Sequence, residues 1–309
     1  MLKYVIRRLA GGLFVLLIVS FFVFTALEAA PGDAVDVLVG DSASAEEKAA
    51  LQRALGLDAN PIVRYGRFLA GVILHGDLGR SVMTDRPVAG LIAERLPYTL
   101  ALAGAAMGLA LILGTSAAMV ASSRPGSWVD VAVMGGVLLG LSLPNFWLAL
   151  LLIFVFSMKL GWLPVMGAGG LDHLILPAIS LALPSAAVLA RLLRSSILEV
   201  RSADYVRTGH AKGLRRGHVF LHYVLRNGMI PVIALLGLQL GRLLGGAFIV
   251  ETIFGWPGVG RLAVQAVFDR DEPVVVGATL FIATAYLATN FLVDVLHAVL
   301  DPRVRHEAL

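Results

Sequence analysis

The residues able to do chemistry are few, and the most reactive type is absent. The chain has no cysteine, so neither a disulfide framework nor a thiolate metal site can form. Gly140-Leu-Ser142 with His297 is the nearest approach to a serine–histidine pair. Such a pair would make a nucleophile, but Gly-x-Ser is frequent in apolar helices and nothing beside it supplies an oxyanion hole. An intramembrane protease is therefore a poor reading. Three ionisable side chains interrupt apolar runs: Arg242, one turn beyond Gln239, and Asp294 and His297, three residues apart. Charge at that depth is costly in a bilayer and marks either a pathway or a structural pair. Asp294 and His297 read as a pair near an interface. Gln239 and Arg242 are candidates for a pathway, with pairing at a subunit interface an equal alternative for Arg242.

The elements that must hold these residues are apolar helices. Of 309 residues, 58% are hydrophobic and only 15% charged, against about 25% charged in a soluble domain. Mean hydropathy is +0.84. A span needs about 20 mostly apolar residues, and six segments qualify: 9–30, 98–122, 129–157, 174–190, 230–250 and 274–300. The first follows Lys3, Arg7 and Arg8 as a secretory signal would. Its apolar run is longer than a signal core, so a retained helix is expected. The fold expected is all-α, a polytopic membrane protein of about six transmembrane helices forming one domain over residues 1–309. Small residues recur at four-residue spacing in Gly104 and Gly108, Gly136 and Gly140, and Gly237, Gly241 and Gly245. Such stripes let helices approach closely, within the chain or against a partner. No internal repeat is visible, whereas a secondary carrier should show repeat-related broken helices.

Basic residues fix an expected orientation. The segment 191–229 carries Arg191, Arg194, Arg201, Arg207, Lys212, Arg215, Arg216 and Arg226 against Glu199 and Asp204. By the positive-inside rule it is cytoplasmic, as are Lys3, Arg7, Arg8, Arg303 and Arg305, so both termini lie inside. This accounts for the formal charge of +4 without nucleic acid. The segments 31–97 and 251–273 are then external. Ser44-Ala-Glu-Glu47 reads as a capping box opening a helix that Gly56 stops. Pro61 opens a second helix to about Leu74, closed by His75-Gly76. Two short amphipathic helices outside suggest a docking platform.

The stretch Glu199–Pro231 is the most informative. Its first half reads as a helix to about Lys212; Gly213 fits a left-handed cap with apolar Leu214 beyond it, and a second helix runs from Arg216 to Arg226. This arrangement resembles the cytoplasmic coupling loop of ABC importer permeases, and specifically the first permease of the dipeptide, oligopeptide and nickel family. The resemblance is carried by Asp204-Tyr-Val-Arg-Thr208, Ala211-Lys-Gly-Leu214 and Leu225-Arg-Asn227 with Ile230-Pro231. It continues through Gly76-Asp-Leu-Gly79, Arg95-Leu-Pro97, Leu143-Pro-Asn-Phe146, Trp162-Leu-Pro164 and His173-Leu-Ile-Leu-Pro177. It ends on Gly237-Leu-Gln-Leu-Gly241, Phe254-Gly-Trp-Pro-Gly258, Gly260-Arg261, Arg270-Asp271 and Asp301-Pro-Arg303. Gly209-His210 stands where the family commonly has Ala-Arg.

The resemblance implies a type I-like importer domain in a bacterial inner membrane. Asp204, Tyr205, Arg207, Thr208, Ala211, Lys212, Gly213 and Leu214 would engage an ATPase. Trp256, Pro257 and Gly258 would take part in docking an external binding protein. It also implies a second homologous permease and two cytoplasmic ATPase subunits. The chain has no Gly-x-x-x-x-Gly-Lys-Ser/Thr cradle, so ATP and magnesium would sit on those partners. The substrates implied are short peptides, glutathione-like peptides or nickel complexes.

The orientation is directly testable, because single introduced cysteines label cleanly in a chain that has none. Ala50→Cys and Arg270→Cys should react with an impermeant thiol reagent in intact cells, and Arg215→Cys only after permeabilisation. The opposite pattern would invert the topology.

Overall fold

The computed structural model describes residues 2–29, 34–39, 44–54 and 58–300, with side chains from 294 onward outside the description. Gly56, Arg303 and Arg305, and the side chains of Asp294 and His297, therefore lie outside the described residues. Within them every regular element is helical, apart from a lone bridge between Arg80 and Pro87.

The helices are α1 (Leu2–Ala29), α2 (Ala34–Val39), α3 (Ala45–Ala54), α4 (Pro61–His75), α5 (Val88–Ser123), α6 (Trp128–Ser142) and α7 (Asn145–Leu152). They continue as α8 (Leu171–Arg201), α9 (Asp204–Ala211), α10 (Arg216–Val219), α11 (Arg226–Gly228), α12 (Ile230–Gly246), α13 (Phe248–Ile253), α14 (Val259–Phe268) and α15 (Glu272–Leu300). Two π-helical turns, Ile153–Lys159 and Phe220–Leu225, extend α7 and α10. Four helices are long and apolar enough to cross a membrane unaided: Ile6–Ala29, Val88–Ser123, Leu171–Arg201 and Glu272–Val293. Two bent pairs bring the crossings to six if each pair counts as one.

The core is a helix pair built from small residues. Ala106, Ala110, Gly114 and Ala118 recur every fourth residue along α5 and are buried. Ala178, Ala182, Ala186 and Ala190 do the same along α8. Facing ridges of this kind bring backbones together, the condition for dispersion to hold helices in lipid. At the closest point a Cβ on Gly114 would lie 2.9 Å from both the Ala186 carbonyl and the Leu189 Cβ. The glycine stripes behave unequally. Gly237, Gly241 and Gly245 pack on Val293, Tyr286 and Ile282 of α15, whereas among the described residues nothing lies within 4 Å of where a Cβ would stand on Gly104, Gly108 or Gly136.

Several expected boundaries need correction. The third span, expected unbroken over 129–157, bends by 104° between α6 and the α7 segment. The cause is Pro144, which forces Leu143 into extended backbone (φ −86°, ψ 125°) and so ends α6. The fourth span, expected over 174–190, is the middle of α8. Leu192, Leu193, Ile197 and Val200 prolong its apolar face past Ala190, and Pro177 and Pro184 sit inside the helix. The expected helix through Lys212 is interrupted at Ser202 and Ala203, where Ser202 N–H turns back to the Glu199 carbonyl at 3.1 Å. The expected external loop ends at Pro87 rather than residue 97, because Val88, Leu91, Ile92 and Leu96 pack into the cluster with α14 and α15. Ahead of the fifth span the chain is already helical, over Arg216–Gly228, and bends by 40° into α12.

Local signals hold. The Ser44 amide and hydroxyl donate to the Glu47 carboxylate, and the Glu47 amide donates to the Ser44 hydroxyl, closing the capping box. Those donors hold the Glu47 carboxyl below its usual range. Asn60 caps α4 by accepting from Ile62 N–H, and Gly76 ends it at φ 63°.

The α5–α8 contact yields a stability prediction. Gly114→Val overpacks the closest approach and should cost about 1–3 kcal/mol, read as a lower Tm of the purified protein in detergent. Gly108→Val, whose Cβ meets open space, should leave Tm near the parent value.

Candidate functional site

The segment with the most distinct local architecture is α9 with its flanks. Val206 and Gly209 are buried on its inner side, where a Cβ on Gly209 would lie 3.6 Å from Val219. Asp204, Tyr205, Arg207, Thr208, Ala211 and Lys212 are all exposed on the other side. The Thr208 hydroxyl donates to the Asp204 carbonyl at 2.9 Å, and Arg207 lies 3.6 Å from the Asp204 carboxylate. Asp204 sits in the first turn, where a carboxylate complements the helix dipole.

The end of α9 is a Schellman motif. Leu214 N–H donates to the Gly209 carbonyl at 3.4 Å and Gly213 N–H to the His210 carbonyl at 3.0 Å, the paired bonds that define the motif. Gly213 has φ 76° with nothing near the position of a Cβ. Leu214 turns back into the apolar cluster of Leu193, Ile197, Val206 and Val219. The eight residues singled out from sequence thus form one short polar helix, closed by a glycine and pinned by a leucine.

The helix that leads into this knob, α8, is tied to the α5–α6 turn by Arg194 and Arg201, which the sequence reading counted only as basic residues of the segment, and by Asp130, which it did not single out. Arg194 of α8 donates to both carboxylate oxygens of Asp130, at 2.7 Å from Nε and 2.5 Å from Nη2. Asp130 also accepts from Gly126 N–H at 2.9 Å, so its charge is fully matched although it is buried. Seven residues on, Arg201 donates to the Ser122 carbonyl at 3.2 Å. The turn joining α5 to α6 is therefore tied twice to the part of α8 that leads into α9. The available signal was Asp130 itself, an acid just inside an apolar run.

Gln239 and Arg242 are not brought to a common pocket. Gln239 is buried within the chain, whereas Arg242 is exposed on the open face of α12 near Leu238 and Ile249. Ser142 donates its hydroxyl to the Leu138 carbonyl at 2.9 Å, an ordinary bond within a helix. Among the described residues no cluster of three His, Cys, Asp or Glu could hold a metal.

At the opposite end, Trp256 and Gly258 form the inside of a loop, and Pro257 is half-buried. Trp256 packs edge-on against Tyr98 at 6.0 Å and donates its indole N–H to the Tyr98 carbonyl at 2.9 Å. Beneath it lies Glu251, with no exposed surface. Its carboxylate accepts from the Thr99 hydroxyl at 2.8 Å and Arg261 N–H at 2.9 Å. The Thr99 oxygen in turn accepts from Val259 N–H at 2.9 Å. A Cβ on Gly258 would overlap the Glu251 carboxylate, so the loop closes tightly only because that position is glycine. Alongside, Asp271 accepts from the Ser81 hydroxyl at 2.5 Å and Val82 N–H at 3.1 Å, fastening the 81–84 turn to the start of α15.

Comparison with known proteins agrees with this layout. Residues 94–306 match the model described as binding-protein-dependent transport system inner membrane component, and residues 1–103 match the corresponding N-terminal model. The chain is 42% identical over 307 residues to the glutathione transport system permease protein GsiC of Escherichia coli O6:H1, covering 99% of this chain and 100% of that one. It is 41% identical over 315 residues, with the same coverage, to a Brucella abortus protein provisionally named a peptide transport system permease. Among solved structures, an amino acid ABC transporter crystallised with histidines gives a TM-score of 0.52 at 19% identity, covering 70% of this chain and 94% of that one. The inward-facing methionine ABC transporter MetNI gives 0.53 at 17%, covering 67% and 96%. These two share the fold, that of an ABC transporter membrane domain. The chain belongs to the family of inner-membrane components of binding-protein-dependent transport systems: it is a multi-pass transport subunit, not an enzyme.

Proposed function

We propose that the chain is one of two related permeases in an ATP-driven importer of short peptides. The observation that supports this most is the α9 knob, a short helix that seats Val206 and Leu214 in the apolar cluster and presents a polar face on the other side. Asp204, Tyr205, Arg207, Thr208, Ala211 and Lys212 would meet a cytoplasmic ATPase subunit, while Gly213 and Leu214 fix the angle at which they do so. ATP and magnesium would sit on two such subunits. Both termini and the 191–229 segment would be cytoplasmic, on the strength of their basic excess. An external binding protein would settle over the loop that Trp256, Pro257 and Gly258 shape.

Peptide as substrate is supported by the relatives named for peptide and glutathione transport, glutathione being itself a short peptide. Arg242 adds a physical argument. Its guanidinium stays charged in any protein environment, so on a pathway it would repel a bare divalent cation and attract a peptide carboxylate. A nickel ion wrapped in an anionic chelator remains the alternative cargo.

Two experiments test these roles. Gly213→Val places a β-branched residue in left-handed backbone at a cost of about 1–2 kcal/mol, with no clash to confuse the result. In the reconstituted complex it should abolish ATP hydrolysis stimulated by the loaded binding protein, while Gly213→Asn, which tolerates that conformation, should retain it. Full stimulation in the valine variant would remove α9 from coupling. Arg242→Gln, in a complex shown to assemble, should lower peptide uptake severalfold. Unchanged uptake would take Arg242 off the pathway.

A further inference from the structure

Helix α4 is turned inside out for a helix in water. Its polar groups face the protein. Arg64 bonds Glu28 of α1 at 2.9 Å, pairs with Glu272 at the start of α15 and lies over the Phe24 ring at 5.6 Å. Its apolar groups face outward: Ile62 is 77% exposed, Ile73 68% and Leu74 74%. At 100° per residue, Ile62, Gly66, Ala70 and Ile73 fall on one arc, with Val63 and Leu74 at its flank. Arg67 is the only charged residue on that exposed side. The preceding helix α3 is polar, with Glu46, Glu47 and Arg53 among its residues.

The depth of α4 follows from its contacts with α1. The Tyr65 hydroxyl lies 2.9 Å from the Ser20 hydroxyl and 3.3 Å from the Leu17 carbonyl. Its ring packs on Phe21 at 5.5 Å and Phe24 at 5.4 Å. Within the described residues the apolar part of α1 reaches Ala29, and a helix rises about 1.5 Å per residue, so Ser20 lies at least about 14 Å inside the outer end of that helix. A single tyrosine side chain cannot bridge that depth from above the bilayer, so the first turn of α4 lies below the end of the span. Phe21 and Phe22, the part of α1 beside it, are themselves exposed, and a span of that apolarity presents such side chains to lipid.

We infer that α4 is an interfacial helix whose Ile62–Ile73–Leu74 face is seated in the lipid of the leaflet at the Glu251 end, the outer one in the proposed orientation. Its charges are matched inside the protein, as residues within a membrane require. Arg67 is placed to extend toward lipid phosphates while its stem stays in apolar surroundings. Of the two external helices expected from sequence to form a docking platform, only α3 then faces water.

The test uses the complete importer in lipid nanodiscs, with Ile62→Cys and Ile73→Cys each labelled by bimane and Ala50→Cys on α3 as the aqueous reference. Phosphatidylcholine carrying dibrominated acyl chains should cut emission at both α4 positions by about half or more, as for a helix buried at the headgroup–acyl boundary. Iodide should quench only the α3 label. Iodide quenching at positions 62 and 73 without bromolipid quenching would overturn the inference in favour of a water-facing surface. Protection from both quenchers, with crosslinking of Ile73→Cys into the second permease, would overturn it in favour of a subunit interface.

Discussion

The close approach of α5 and α8 is the constraint on which the rest of this protein depends. Two rows of alanine and glycine at four-residue spacing bring the backbones together until no further atom fits between Gly114 and Ala186. Lipid offers no hydrophobic drive for helix pairing, so contact of this quality is what a membrane protein has to use. Interiors packed to this density transmit displacement instead of absorbing it. The pair therefore behaves as one stiff element.

Each end of that element is fastened to different machinery. At one end Thr99 of α5 holds the Glu251 carboxylate and, through Val259, the turn that carries Trp256. At the other, Arg194 and Arg201 of α8 grip the turn between α5 and α6 before the chain breaks into α9. Both attachments give a buried carboxylate several hydrogen-bond donors, Asp130 from Arg194 and Gly126 and Glu251 from Thr99 and the Arg261 amide, so neither is left without partners. A closely packed pair thus carries a fastened loop at one end and a polar knob at the other.

What could be read from sequence was local. Ser44 with Glu47, Pro61 through Gly76, and Gly213 with Leu214 each signal through residues within a turn or two of one another, and each forms as expected. The features that escaped are those made between distant residues. Asp130 and Arg194 are 64 apart and Thr99 and Glu251 are 152 apart, so no spacing rule joins them. The alanine ridges of α5 and α8 were hidden differently: alanine is so common in apolar helices that only the glycines drew notice, and three of those face open space. Pro144 was visible, but composition made 129–157 read as continuous. Apolar content measures fitness for lipid and says nothing of direction.

That change of direction has a consequence for the bilayer itself. α6 has 15 residues, about 22 Å of helix, against a hydrocarbon core of about 30 Å. The α7 segment that follows runs nearly at right angles to it, with Phe146, Trp147, Leu150 and Phe154 exposed along it. By contrast α8, at 31 residues, is about 46 Å long and exceeds the same core. Helices of such unequal length set in one bilayer would meet it with unequal hydrophobic match, and tilt, local thinning or thickening of the lipid are the ways such a difference is absorbed.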